Sequence, residues 1–166
     1  DDPAERLRLM DAWLRDFDQI EVESLVSLHG RFDQPQRVTH PYSVDGAPAE
    51  AKGFVQVNWM LPENSDPALT MALEILSYAL VSTPASPLRK ALIDSGLGED
   101  VTGGGYSSQL RQNTFGVGLK GIAVEDADKV EALILQTLKG LAEDGLESDM
   151  VEAAVNTIEF SLRENN

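Results

Sequence analysis

The stretch that most restricts this chain runs from Ser86 to Ile122, SPLRKALIDSGLGEDVTGGGYSSQLRQNTFGVGLKGI, because its punctuation leaves little choice of local structure. Ser86-Pro87 reads as a helix start, a hydroxyl able to cap followed by proline at the first helical position. Gly96 and Gly98 supply the stop, since glycine adopts at little cost the left-handed conformation that ends a helix. A strand carrying the triple glycine Gly103-Gly104-Gly105 comes next, and Thr114 to Gly121 predicts a second strand. In that second strand Phe115, Val117 and Leu119 share one face, and Thr114, Gly116, Gly118 and Lys120 share the other. A strand with side-chain-free positions on one face invites close approach by a packed helix or another backbone.

The rest of the chain supplies further layers. Asp2-Pro3-Ala4-Glu5 reads as a capped helix start at capping-box spacing. Its helix runs to about Ile20, with Leu7, Met10, Leu14 and Phe17 on one face and Trp13 beside them. Residues 21–35 read as a connection with a short strand near Leu25–Leu28. Arg37 to Val44 reads as a strand whose Pro41 marks an edge or a bend, and Asp45-Gly46-Ala47-Pro48 as a turn. Gly53 to Leu61 is the clearest strand, with Val55, Val57, Trp59 and Leu61 alternating against Phe54, Gln56, Asn58 and Met60. Two strands around a polar turn predict an antiparallel pair.

Asp66-Pro67 opens a helix striped by Leu69, Leu73, Leu76 and Leu80, apolar on most sides and closed by Pro84. Asp126 caps a third long helix that buries Val130, Leu133, Ile134, Thr137, Leu138 and Leu141 and ends at Gly145. The last helix starts near Ser148 and stripes Val151, Val155, Ile158 and Leu162. Trp13, Phe17 and Trp59 are most simply core, with a seam to a missing domain as the alternative for any that are exposed. Antiparallel strands followed by paired helices make an α+β domain, a mainly antiparallel sheet with helices packed on one face.

Composition narrows the functions. A chain of 166 residues fits one domain with a real core. It has no cysteine and so neither disulfides nor thiolate chemistry. A net charge of −15 repels phosphate backbones and anionic membranes, so nucleic acid and membranes are not expected partners. The same charge favours cationic peptides, although solubility alone explains it. No apolar run approaches the ~20 residues of a membrane span, and no signal peptide opens the chain. The start at Asp1 without methionine and the stop at Asn166, on an amphipathic helix, suggest a piece of a longer protein.

The residues carry little recognisable chemistry. A hydrolytic zinc needs three protein ligands and an open position for water. Here His29 and His40 are the only histidines, and neither begins a zinc motif; both read as surface histidines. Gly105-Tyr106-Ser107-Ser108 is not a nucleophile elbow. The triple glycine is not a phosphate loop, because no Gly-Lys-Ser/Thr follows and a strand comes next. The acidic pairs Glu99/Asp100 and Glu125/Asp126 read as solvated charges or caps, and Arg89 and Lys90 as a solvated helix face, with an acidic partner or a domain interface as the alternative. The triple glycine remains. Its bare backbone either offers N–H and C=O groups to an extended peptide or makes a bulge packed tightly on a helix.

Four segments in order, DDPAERLRLMDAWLRDF, GFVQVNWMLPE, DPALTMALEILSYAL and the glycine-rich stretch through LRQNTFGVGLKG, resemble the second domain of presequence proteases, zinc peptidases of the pitrilysin–insulinase family. The resemblance covers nearly the whole chain. It implies the fold shared with processing-peptidase domains, the LuxS-like metallohydrolase fold. It also implies a lead-in helix and linker at residues 1–22 and a second, non-zinc domain at 23–166, truncated at its C-terminal end. The family's H-x-x-E-H zinc motif lies in the first domain, which would precede Asp1. Zinc is thus expected in the parent protein and no metal or catalytic residue here.

The implied function is a share in a zinc-dependent metalloendopeptidase that degrades unstructured peptides, this domain forming chamber wall and a peptide exosite. By resemblance to insulin-degrading relatives, the exosite falls at Thr102, Gly103, Gly104 and Gly105, with Tyr106 and Gln109 nearby. Expected partners are peptide substrates, the zinc domain and the C-terminal half of the same protein, and, through exposed seams, other copies of the fragment. The compartment is cytoplasm in a bacterium or an organelle matrix in a eukaryote. Two rivals remain: a scaffold domain of the same fold used for assembly, and a stand-alone peptide-binding module.

Overall fold

The computed structural model describes residues 2–43 and 53–164. Val44 and the turn expected at Asp45–Pro48 lie outside them. Helix α1 spans Pro3–Leu14. Asp2 caps it as expected, accepting from the Ala4 N–H at 3.0 Å, but Glu5 pairs with Arg8 instead of closing a capping box. The helix ends at Leu14, short of Ile20. Trp13 is 78% and Phe17 75% exposed, so neither is core. The stripe is amphipathic as read, but among the described residues no second layer buries it.

Residues 18–43 form no strand. The strands expected at Leu25–Leu28 and at Arg37–Val44 are corrected accordingly. Pro41 has no N–H to give a ladder. The segment is held by side chains instead. The Val26 carbonyl accepts from Arg111, the His29 N–H donates to Gln112 Oε1 at 3.1 Å, and Arg37 reaches both Asp128 and Glu131.

Strand β1, Gly53–Glu63, alternates between half-buried and exposed positions as its sequence predicts. Helix α2, Pro67–Ser77, is capped by Asp66, which accepts from Ala68 and Leu69. It runs into a π-helical turn, Tyr78–Ser82, and α3 follows at Pro87–Asp94. Ser86 does not cap α3. Its buried hydroxyl accepts from the Thr83 N–H at 3.0 Å and donates to the Tyr78 carbonyl at 3.3 Å, tying the π turn to the next helix. By length and composition Pro67–Asp94 would pass as a membrane span, which the sequence reading did not allow for. The structure breaks that run between Ser82 and Pro87 and places its Leu80, Val81, Leu88 and Leu92 in the core.

Strands β2, Asp100–Ser107, and β3, Gln112–Ile122, complete a sheet of order β1-β3-β2, antiparallel throughout. Thus β1 pairs with β3, not with the segment before it. The register Val55↔Leu119, Val57↔Val117 and Trp59↔Phe115 joins the apolar faces expected from each strand. The Trp59 and Phe115 rings lie 5.7 Å apart. On the other face Gln56 and Asn58 oppose Gly118 and Gly116. A Cβ on Gly118 would lie 1.8 Å from the Val55 carbonyl oxygen, so the close approach of β1 requires glycine there.

A 3-10 turn, Val124–Asp126, leads into α4, Ala127–Asp144. Asp126 sits at the N-cap position, but its carboxylate takes the Lys129 ammonium at 2.6 Å and no backbone N–H. Val130 and Ile134 are fully buried, with Leu133, Leu138 and Leu141 packed around them, and Gly145 at φ +83° ends the helix. Helix α5, Ser148–Glu164, docks on α2 and the π turn by a face shifted from the expected stripe, of which it keeps Ile158. Ala154 is buried and Met150 and Ile158 half-buried, whereas Val151, Val155 and Leu162 stay exposed. The core lies between the helices and one face of the sheet, the expected α+β arrangement. Each fully buried leucine there contributes roughly 1.5–3 kcal/mol.

Candidate functional site

The triple glycine folds into a bulge. Thr102 pairs with Gly118 and Gly105 with Gly116, so Gly103 and Gly104 together oppose Val117. All three glycines have positive φ, +105°, +73° and +78° in order, which side-chain-bearing residues reach only with strain. Their surroundings differ. A Cβ on Gly103 would lie 2.6 Å from the Gly116 carbonyl group and the Val117 nitrogen, main chain on the neighbouring strand. On Gly105 it would lie 2.5 Å from Ser77 Oγ and 3.0 Å from Val81 Cγ2, so α2 and the π turn seat directly on this residue. On Gly104 it would meet nothing within 4 Å. Bulge and tight packing, one of the two readings of the sequence, are therefore present, and Gly104 is the glycine left open.

Helix α2 fixes the strand beyond the bulge. The Tyr106 N–H donates to Ser77 Oγ at 2.9 Å, and Ser77 itself is 7% exposed. Between β2, α2, the π turn and α5 opens a cavity of about 280 Å³. Gly104, Tyr106 and Gln109 line it together with Glu74, Ser82 and Ser107. Thr102, Gly103 and Gly105 do not. Among the described residues Glu74 is its only charged lining residue. The Tyr106 hydroxyl is buried and has no hydrogen-bond partner among the described residues. Two backbone irregularities, the bulge and the π turn, thus meet at one polar hollow, and each kind is common beside functional sites.

Sequence reasoning missed Glu74, Ser77 and Ser82. The available signal was the polar pair Glu74 and Ser77, one turn apart within a mostly apolar helix. At the other end of β2, Asp100 takes the Lys120 ammonium at 3.2 Å and faces Arg89 at 3.5 Å. The hydrogen bond from Lys120, then that from the Val101 N–H, holds its carboxyl below the usual aspartate range. Arg89 and Lys90 find partners within the chain, in Asp100 and Asp94. His29 and His40 are exposed as expected, and the His29 ring rests against Phe32. No three His, Cys, Asp or Glu residues gather as a metal site among the described residues.

Residues 2–158 match the family model described as the peptidase M16 inactive domain. The chain is 45% identical over 171 aligned residues to presequence protease 1, chloroplastic/mitochondrial, of Arabidopsis thaliana, covering all of this chain and 16% of that protein. It is 32% identical to the mitochondrial presequence protease of Xenopus tropicalis, covering 90% of this chain and 15% of the relative. It is 27% identical to protein HypA of Clostridium perfringens, covering 94% and 16%. The chain thus spans about a sixth of the length of the curated relatives it matches. Among solved structures, the inactive peptidase domain of a candidate zinc protease from Bordetella parapertussis superposes with a TM-score of 0.60 at 22% identity, covering 73% of this chain and 64% of that one. A candidate zinc protease of Bordetella pertussis Tohama I gives 0.55 at 25% identity, covering 67% and 61%.

Proposed function

This chain belongs to the peptidase M16 inactive-domain family, and from that premise we propose that it is the non-catalytic second domain of a zinc metalloendopeptidase that degrades unstructured peptides. Residues 1–22 lead in from a zinc-bearing domain, and residues 23–166 form part of the chamber wall. The wall carries a peptide anchor at the β2 bulge, centred on Gly104, Tyr106 and Gln109. The reading rests above all on likeness, along the whole of this chain, to a sixth of a presequence protease. The exosite is further supported by the polar cavity that three of its six expected residues line. Zinc belongs to the parent protein, where it would activate a water beside a glutamate base. Relatives named for mitochondria and chloroplasts support an organelle matrix in a eukaryote; in a bacterium the corresponding place is the cytoplasm.

The purified chain is expected to hydrolyse no unstructured fluorogenic peptide, with or without added zinc. Chelator-sensitive hydrolysis by the chain alone would overturn the non-catalytic role. The anchor is tested separately by titrating an unstructured peptide against the chain. Absence of binding at high micromolar concentration removes the exosite and leaves the wall.

A further inference from the structure

We propose that residues 26–42 form a latched strap that guards the free edge of β1, and that its release at Arg37 opens this edge to pairing with the β1 of a second copy of the chain; this is independent of the peptide-anchor reading above. The sheet order β1-β3-β2 leaves β1 with one unpaired edge among the described residues. That edge is eleven residues long, and it is regular from Phe54 to Met60, with its register shifting only near the two ends. Such an edge is a template for another chain, and proteins blunt it with charge, proline, a bulge or a cover. β1 has no charged side chain before Glu63 and no proline before Pro62. Phe54 and Met60 are exposed on its face away from the core. A cover is the device left.

The clips of the strap place it there. At one end Arg111 donates to the Val26 carbonyl at 3.1 Å, and the His29 N–H donates to Gln112 Oε1 at 3.1 Å. Gln112 pairs with Glu63, so this end sits at the close of β1. At the other end Arg37 reaches Asp128, at 2.5 Å, and Glu131 in the first turns of α4. Helix α4 lies over β1 and β3 on the core face. Five residues on, the Tyr42 ring meets Phe54 edge-on, with centroids 5.6 Å apart, on the opposite face. Five residues reach at most about 18 Å, and β3 occupies the inner side of β1. The chain therefore passes from one face to the other round the free corner at Gly53. The steps from His29 to Arg37 reach at most about 29 Å, enough with the Arg37 side chain to follow the roughly 33 Å of β1. Yet no backbone hydrogen bond joins residues 18–43 to β1 among the described residues, and every residue of the strap is exposed. A ladder would fasten the strap along its length. Side chains fasten it only at its ends, and the exposed Arg37 clasp is weakened by salt.

The test uses the full chain, whose lack of cysteine lets introduced ones be labelled selectively. Spin labels at Val38→Cys on the strap and Leu135→Cys on the exposed side of α4 are expected to give one narrow distance at about 0.1 M salt. The distance should broaden at about 1 M, where the screening length falls to roughly 3 Å, and also after Arg37→Gln. By sedimentation velocity the self-association constant of Arg37→Gln should exceed that of the parent about three- to tenfold. Adding Met60→Lys, which sets a charge beside the edge, should return it to the parent value. Arg37 and Met60 are both exposed, so neither substitution disturbs the core. A distance that stays narrow in Arg37→Gln overturns the latch. Association no stronger than the parent's, or association that Met60→Lys leaves unchanged, overturns the guarded edge.

Discussion

Replacing each of two adjacent glycines by alanine separates the structural role of the bulge from its accessible one. Gly104→Ala adds a methyl group to open space at φ +73°, so its cost is the left-handed conformation alone, roughly 1–2 kcal/mol. Gly103→Ala carries a comparable penalty at φ +105°, about 1–3 kcal/mol. In addition its Cβ falls 2.6 Å from Gly116 and Val117 main-chain atoms, which cannot rotate away as a side-chain tip can. Relief needs a shift of β2 against β3, an overpacking cost of about 1–3 kcal/mol. Gly103→Ala is therefore expected to be the more damaging by roughly that last amount, a further ~2–12 °C in Tm for a chain of this size. Urea unfolding followed by circular dichroism gives the comparison directly, with unchanged m values showing that both variants still unfold from a native state. Equal losses in the two variants, or a Gly103→Ala protein as stable as the parent, would refute the close strand contact on which the bulge reading stands.

Two further outcomes follow from the core and from the Asp100 ion pair. Leu92→Ala, at a fully buried position between the helices and the sheet, should cost about 2–5 kcal/mol, whereas Leu135→Ala on the exposed side of α4 should stay within about 0.5 kcal/mol; similar losses at both sites would place the core elsewhere. The depressed carboxyl of Asp100 contributes stability that is present above the unfolded aspartate value of about 3.9 and is lost as pH falls through its lower folded value. Lys120→Met, which removes the leading cause of that shift, should flatten the dependence of the urea midpoint on pH below about 4, and an unchanged acid limb would exclude the Asp100–Lys120 bond as a source of it.

Elements with two independent signals were readable from the sequence, and those with one were not. In β1 and β3 strict alternation and β-branched or aromatic content agree, and the register joins the two faces as expected. Capping was legible where the carboxylate had no competitor. Asp66 caps α2, but Asp126 is diverted by Lys129 three residues on, and the Ser86 hydroxyl by Thr83 and Tyr78 in the preceding turn. Helical periodicity at α1 and α5 shows which side is apolar, yet burial depends on what lies opposite. In α5 Ala154 is buried while Val151 and Val155 stay exposed, an orientation that the apolar stripe alone does not give.

The glycine run illustrates the same limit at the candidate site. Three identical residues in a row carry no sequence signal that distinguishes them. Their roles diverge because partners distant in the chain reach each differently: the main chain of Gly116 meets Gly103, Ser77 and Val81 meet Gly105, and nothing meets Gly104. A serine within an apolar helix decides the matter, since only a short hydroxyl can both accept the Tyr106 N–H and allow α2 to rest on the strand. Any larger residue at position 77 would lift α2 from the bulge, and alanine would leave the Tyr106 N–H without its partner, a buried loss of about 1–3 kcal/mol. The strand end and the helix end are therefore one unit, and the cavity between them keeps its shape only while that hydroxyl stays in place.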